Sequence, residues 1–371
     1  MKKCFLLFCL ALFLTKLAFA QEGFEIREKV GFLAAHHAGM AHLPQQLGIA
    51  TELSYVKKLN GEKQWHSAYR NPLVGSTLFI GSVGNNAILG RFVGVYGFAE
   101  MPLIRYKNYR MDWKFGTGCG YTNKPYDPVL NPKNVAIGSH LNAIMCFALK
   151  QTYAFKQSAV TLSLDMTHFS NGSFKVPNLG INLPYLSLGF QHYFTGHSKR
   201  IVAPSKDEVA NLPLPPKDNF LTYQQWQWSI NGLLSAKETM PIGGKKYPVY
   251  GTSLSLRNYF SWKAGFELNL DVISKQALLN YEPMVPKTQW DILQVGVSAS
   301  YLLPLDRFNF VYGLGVYVRD RYRAEGPLYI RLGCRYYINH SMSAFFGLKT
   351  HYAKADYFEF GLTYHIKKHA K

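Results

Sequence analysis

His168 and Ser170 stand two positions apart in the stretch DMTHFSNGSFKVPNLGIN, which runs from Asp165 to Asn182. A serine hydroxyl is a weak nucleophile until a base removes its proton, and an imidazole one strand step away can be that base. Such a pair needs a third group to fix the imidazole tautomer, and it needs hydrogen-bond donors for the oxyanion that develops on the attacked carbonyl. Asn182 can meet the first need through its side-chain oxygen. Asn171, or backbone N–H groups in the turn at Gly172, can meet the second. The chemistry these residue types allow together is hydrolysis of an ester. A His-x-Ser pair alone also fits two interfacial polar residues at the end of a strand.

The elements that must position these groups are strands. Side chains alternate along a strand, so Leu162, Leu164, Met166, His168 and Ser170 share one face while Thr161, Ser163, Asp165 and Thr167 share the other. On the next strand Leu186, Leu188, Phe190 and Phe194 make the apolar set, and stepping back by twos reaches Asn182. If the greasy face meets lipid, His168, Ser170 and Asn182 converge on the membrane side of a hairpin, near its mouth.

The same division into apolar and polar faces recurs along the chain. Trp262, Ala264, Phe266, Leu268, Leu270 and Val272 oppose Lys263, Gly265, Glu267, Asn269 and Asp271. Phe308, Phe310, Tyr312, Leu314 and Val316 oppose Arg307, Asn309, Gly313 and Gly315, and Phe358, Phe360, Leu362 and Tyr364 oppose Glu359, Gly361 and Thr363. Met111, Trp113 and Phe115 likewise oppose Asp112, Lys114 and Gly116. Strands of about ten residues, apolar outside and polar inside, mark a transmembrane β-barrel. A soluble sandwich would place the greasy side inward over shorter strands.

Such segments fall near 29–36, 47–57, 72–82, 88–106, 110–121, 139–156, 159–170 and 184–194, then near 222–237, 247–260, 261–273, 289–303, 306–319, 327–338, 341–352 and 356–366. The expected fold is all-β, an antiparallel outer-membrane barrel of about 14–16 strands in one closed sheet, with two stacked eight-stranded units as the alternative. In that reading 21–194 carries the site, 195–221 is an exposed loop rich in Pro, Lys and Asp, and 222–371 closes the same barrel. Both halves end similarly, with THFS before YLSLGFQHYF and THYA before FEFGLTYHI. Ala353 stands where a second nucleophile would, so His351 reads as a structural residue.

Residues 1–20, MKKCFLLFCLALFLTKLAFA, read as a signal peptide: two lysines, an apolar run and a small-x-small end at Ala18-Phe19-Ala20. No later window supplies the ~18–20 apolar residues of a spanning helix. Cys119, Cys146 and Cys334, the cysteines outside that leader, sit at strand positions and read as small apolar side chains rather than a disulfide framework. A formal charge of +19 favours an anionic partner, which for an exported chain is a membrane or lipopolysaccharide surface and not nucleic acid. His36, His37 and His42 are metal ligands by residue type, but neighbours on a strand diverge, so neither a metal nor another cofactor is expected.

The stretch HFSNGSFKVPNLGIN strongly resembles the signature of the outer-membrane lipid A 3-O-deacylases, the PagL type, and of related acyloxyacyl hydrolase-like proteins of Gram-negative bacteria. The resemblance covers the chain to about Phe194. It implies His168 as base, Ser170 as nucleophile, Asn171 as oxyanion donor, and Pro177, Asn178 and Gly180 as residues shaping the loop. With Gly172, Asn178 is also a candidate for positioning substrate. It further implies an eight-stranded barrel in the outer membrane with its site toward the outer leaflet, and lipid A or lipopolysaccharide as substrate. Where that family carries a glutamate to orient the histidine, this chain has Asn182, which accepts a hydrogen bond but brings no charge. Esterase is the first functional reading. A channel through a barrel of about 16 strands is the second, and a structural barrel with a degenerate site is the third.

Overall fold

The computed structural model describes residues 21–59, 61–194, 208–209, 212–213, 220–239, 242–280, 284–322, 326–352 and 354–366. The expected signal peptide and most of the expected loop at 195–221 lie outside the described residues.

Eight strands form the first half: β1 (Gln21–Gly31), β2 (Gly48–Lys58), β3 (Leu73–Ser82), β4 (Arg91–Tyr106), β5 (Tyr109–Thr122), β6 (Leu141–Phe155), β7 (Ser158–Ser170) and β8 (Ile181–Tyr193). Another eight form the second: β9 (Gln227–Glu238), β10 (Lys246–Ser261), β11 (Ala264–Lys275), β12 (Leu293–Leu305), β13 (Phe308–Arg319), β14 (Leu328–Tyr337), β15 (Met342–His351) and β16 (Lys354–His365). The strand number expected from alternation is therefore present among the described residues, all of it antiparallel between sequential neighbours. The single closed sheet is not. β1 pairs with β8, from Gly23 opposite Tyr193 to Gly31 opposite Tyr185, and β16 pairs with β9, so the strands close into two separate barrels.

The physical reason is visible in each interior. An eight-stranded barrel is just wide enough for its inward side chains to fill it, and here most of the inward charges pair with one another. In the first barrel Arg27 and Lys29 pair with Glu52 and Asp165, and Lys150 bridges Glu25 and Glu100 at 2.8 and 2.9 Å. In the second, Arg331 joins Asp271 and Glu359, Arg335 joins Glu267, and Lys237 and Lys275 join Asp356. Buried charges are tolerated when paired and hydrogen-bonded. The wide lumen on which the channel reading rested is replaced by two narrow interiors filled with these networks.

Outward, alternation holds as read. Leu162, Leu164, Leu186 and Leu188 are exposed, as are Phe266, Leu268, Leu270, Leu314, Phe360 and Leu362, while Glu267, Asn269, Asp271, Asp112 and Lys114 are buried. These apolar outer faces suit lipid. The first strand begins earlier than the expected 29–36, because Glu25, Arg27 and Lys29 are inward-facing partners of the ion network rather than loop residues.

Turns at one end of the barrels are short, such as 107–108, 156–157 and 306–307, while 32–47, 123–140, 171–180 and 276–292 extend the other. Outer-membrane barrels carry longer loops on the external side. Both barrels point the same way, and they touch at both ends. At the short-turn end the helix α1 (Gln64–Ala68) and its neighbours meet the second barrel: Tyr69 donates to the Pro304 carbonyl at 2.7 Å, and Lys63 pairs with Asp306 at 2.7 Å. Between the ends Phe115 meets Phe310 edge-on, with ring centroids 5.0 Å apart.

Candidate active site

His168 and Asn182 lie directly opposite each other in the β7–β8 ladder, and Ser170 ends β7 on the same outward face. Along that face exposure falls from 64% at Leu164 to 3% at Ser170. What covers Ser170 is the segment 171–180 that joins β7 to β8, together with the second barrel on which that segment rests.

The imidazole Nδ1 of His168 donates to Asn182 Oδ1 at 2.6 Å. The Ser170 hydroxyl receives hydrogen bonds from Asn178 Nδ2 at 3.0 Å and from the Gly172 backbone N–H at 3.2 Å. Asn178 Oδ1 in turn accepts the Asn171 backbone N–H at 3.0 Å, which locks its amide over the serine. No hydrogen bond joins His168 to Ser170 in this state among the described residues; catalytic hydrogen bonds are often slack before substrate arrives. The Asn171 side chain donates to Ser139 Oγ and to the Lys175 carbonyl, each at 2.8 Å, so its hydrogens hold the loop and do not face the hydroxyl. The two donors aimed at Ser170 are Gly172 N–H and Asn178 Nδ2.

Two glycines let this loop approach so closely. Gly180 has φ +80°, and a Cβ there would lie 2.9 Å from His168 Cε1. Gly172 has φ +60°, and a Cβ there would lie 2.6 Å from the ring of Phe358 on β16. Left-handed backbone is open to glycine and costs other residues energy.

The second barrel grips the same loop. Ser173 Oγ donates to the Ala355 carbonyl at 2.9 Å, Glu238 N–H donates to the Ser173 carbonyl at 3.0 Å, and Glu238 Oε2 accepts Val176 N–H at 3.3 Å. Lys246 Nζ sits 3.8 Å from the centre of the Phe174 ring. The equivalent place in the second barrel, at the β15–β16 turn, is different: His351 points inward, where its Nε2 bonds Tyr317 at 3.2 Å and its ring faces Asp356. Ala353 lies outside the described residues.

His36 was not placed in this site by the sequence. Its Nε2 donates to the Leu179 carbonyl at 3.0 Å, and its Nδ1 lies 3.2 Å from Asn182 Nδ2. Closure of β8 on β1 brings it there, through Ala34 N–H donating to the Asn182 carbonyl at 2.9 Å. Spacing in the chain carries no trace of that closure. His37 packs against His36 with ring centroids 4.7 Å apart, and His42 Nε2 donates to the Lys133 carbonyl at 2.8 Å. Among the described residues no cluster of three or more His, Cys, Asp or Glu side chains is placed to hold a metal.

Comparison with known proteins divides the chain as its barrels do. Residues 49–191 match the family model described as lipid A 3-O-deacylase (PagL), and residues 226–368 match acyloxyacyl hydrolase, C-terminal domain. Compared with curated protein sequences, the chain has no match. Among solved structures it is similar to a mutant porin of Rh. blastica, with 8% identity, 94% of this chain and 100% of that chain covered, and a TM-score of 0.20. A triple mutant of Rhodopseudomonas blastica porin gives 7% identity over the same shares, with a TM-score of 0.18. At such scores the likeness says nothing about activity.

Proposed function

We propose, for a chain that belongs to the lipid A 3-O-deacylase (PagL) and acyloxyacyl hydrolase family, that it is an outer-membrane serine esterase which removes an ester-linked acyl chain from lipid A or a related outer-leaflet lipid. Family membership supports the coarser statement, a hydrolase of lipid A esters in the outer membrane. The observation that carries the finer one is the placement of Ser170 Oγ: on the lipid-facing side, beneath two hydrogen-bond donors, one strand step from an imidazole tied to Asn182.

In this mechanism His168 Nε2 takes the hydroxyl proton as Ser170 Oγ bonds to the ester carbonyl carbon. Negative charge then develops on the carbonyl oxygen. Gly172 N–H and Asn178 Nδ2, which now bond the hydroxyl, are the donors nearest to the oxyanion, which forms two bonds away from Oγ, and act as its hole. The imidazolium is steadied by Nδ1–H donating to Asn182 Oδ1, and it returns its proton to the departing alcohol. Water repeats the sequence in reverse to free the fatty acid. Asn171 and Ser139 hold the loop that carries the donors.

Mass spectrometry of lipid A from a Gram-negative host tests the reading. Cells making the chain should show lipid A lighter by one acyl group, and cells making Ser170→Ala should not. Unaltered lipid A from cells with correctly folded, heat-modifiable protein would refute it.

A further inference from the structure

An asparagine in the third position of a serine site carries a specific hazard. Its side chain is an acceptor at one end and a donor at the other, so a turned amide would present NH₂ to His168 Nδ1 and leave the proton on Nε2. An imidazole in that tautomer cannot accept the Ser170 proton. Substitution of amide for carboxylate in a serine triad costs ~10⁴-fold in turnover for this reason. Something must hold the amide of Asn182 the right way round.

We infer that His36 is a positioning residue that sets the orientation of the Asn182 amide and, through it, the tautomer of His168. This rests on the esterase reading of the site. Each link is fixed by what its neighbour can do. The Leu179 carbonyl can only accept, so at 3.0 Å it requires the proton of neutral His36 on Nε2. His36 Nδ1 is then a lone pair, 3.2 Å from Asn182, and accepts only from the NH₂ end of that amide. Asn182 Oδ1 is thereby turned to His168, 2.6 Å from Nδ1, and must be met by N–H. Nε2 of His168 is left unprotonated, which is the state a general base requires. The Ala34 carbonyl, 3.3 Å from His36 Nδ1, makes the opposite demand, and one neutral ring cannot satisfy it together with Leu179. A backbone carbonyl in the β7–β8 loop thus defines the proton position on a histidine two side chains away.

The test uses the full chain in detergent with lipid A as substrate. His36→Lys puts a donor where an acceptor stood and should turn the amide, lowering kcat at least about tenfold with KM little changed. His36→Glu, which accepts but cannot donate, should keep several-fold more of the activity than His36→Lys. Adding Asn182→Asp to His36→Lys should recover at least about tenfold in kcat, since a carboxylate accepts from both sides and has no wrong orientation. A His36→Lys chain as fast as the parent, or no recovery on adding Asn182→Asp, would overturn the relay. Nitrogen NMR of the imidazoles in mildly alkaline solution gives an independent reading. His168 should carry its proton on Nδ1 in the parent and on Nε2 in His36→Lys, and a parent protonated on Nε2 would also overturn it. If the parent releases no acyl chain, the esterase reading fails, while the NMR result still decides the relay.

Discussion

At the scale of single residues, the site joins a serine, a base and an amide whose contributions should be interdependent. Ser170→Ala or His168→Ala should each reduce acyl release to background, and the double variant should be scarcely worse than either, because nucleophile and base act as a unit. Lipid A profiles of the three variants, with folding checked by heat-modifiable migration, give the comparison; additive losses would separate the roles. Asn182→Ala removes a 2.6 Å hydrogen bond and should lower kcat by about tenfold or more while leaving KM unchanged. Asn182→Glu should raise kcat, since a carboxylate steadies the imidazolium as a neutral amide does not. Equal rates for all three residues at this position would make Asn182 a mere loop anchor.

At the scale of elements, the β7–β8 loop is held against two barrels by the absence of side chains. Gly172→Ala meets Phe358 at 2.6 Å from a backbone of φ +60°, a conformation that itself costs alanine about 1–2 kcal/mol. The loop should shift, withdrawing its N–H from Ser170, and turnover should fall about tenfold in a barrel that still folds. Phe358→Ala added to that variant should return part of the rate by removing the clash; no return would mean that strain alone is responsible. How much of this could be read from the chain follows from what alternation encodes. It reports which face each residue occupies, so the outward placement of His168, Ser170 and Asn182, and the inward placement of Glu267 and Asp271, were legible. It says nothing about long-range partners. The pairing of β1 with β8, which makes two barrels of one expected sheet and brings His36 to Asn182, depends on strands far apart in the chain. The start of β1 escapes this alternation because Glu28 interrupts its apolar face beside inward Arg27 and Lys29. A clue did exist, since each half carries inward charges of both signs.

At the scale of the whole molecule, paired charges fill both interiors, so removing one partner is costly, and they bear on the channel reading. Arg331 bonds Glu359 at 2.6 and 3.0 Å and Asp271 at 3.1 Å, and Arg331→Ala would take the paired cation from two buried carboxylates at a cost of about 3–5 kcal/mol. Denaturant titration in detergent should show that loss. Planar bilayers containing the parent should show no steady conductance, and open-channel currents would contradict interiors filled in this way. The second barrel adds a grip on the site: Glu238→Ala removes the acceptor for Val176 N–H and for Gly243 N–H and should slow acyl release several-fold without unfolding either barrel, as the loss of two hydrogen bonds at the barrel end. The outward position of Ser170, closed over by its loop and flanked by a second barrel, has a kinetic corollary. A lipid must reach it sideways, by diffusion within the leaflet and from the open flank alone, so encounter is a two-dimensional search. Diluting substrate with inert detergent or lipid at constant bulk concentration should therefore slow the reaction in proportion to substrate mole fraction at the surface, while adding more vesicles of the same composition should leave the rate per saturated enzyme unchanged.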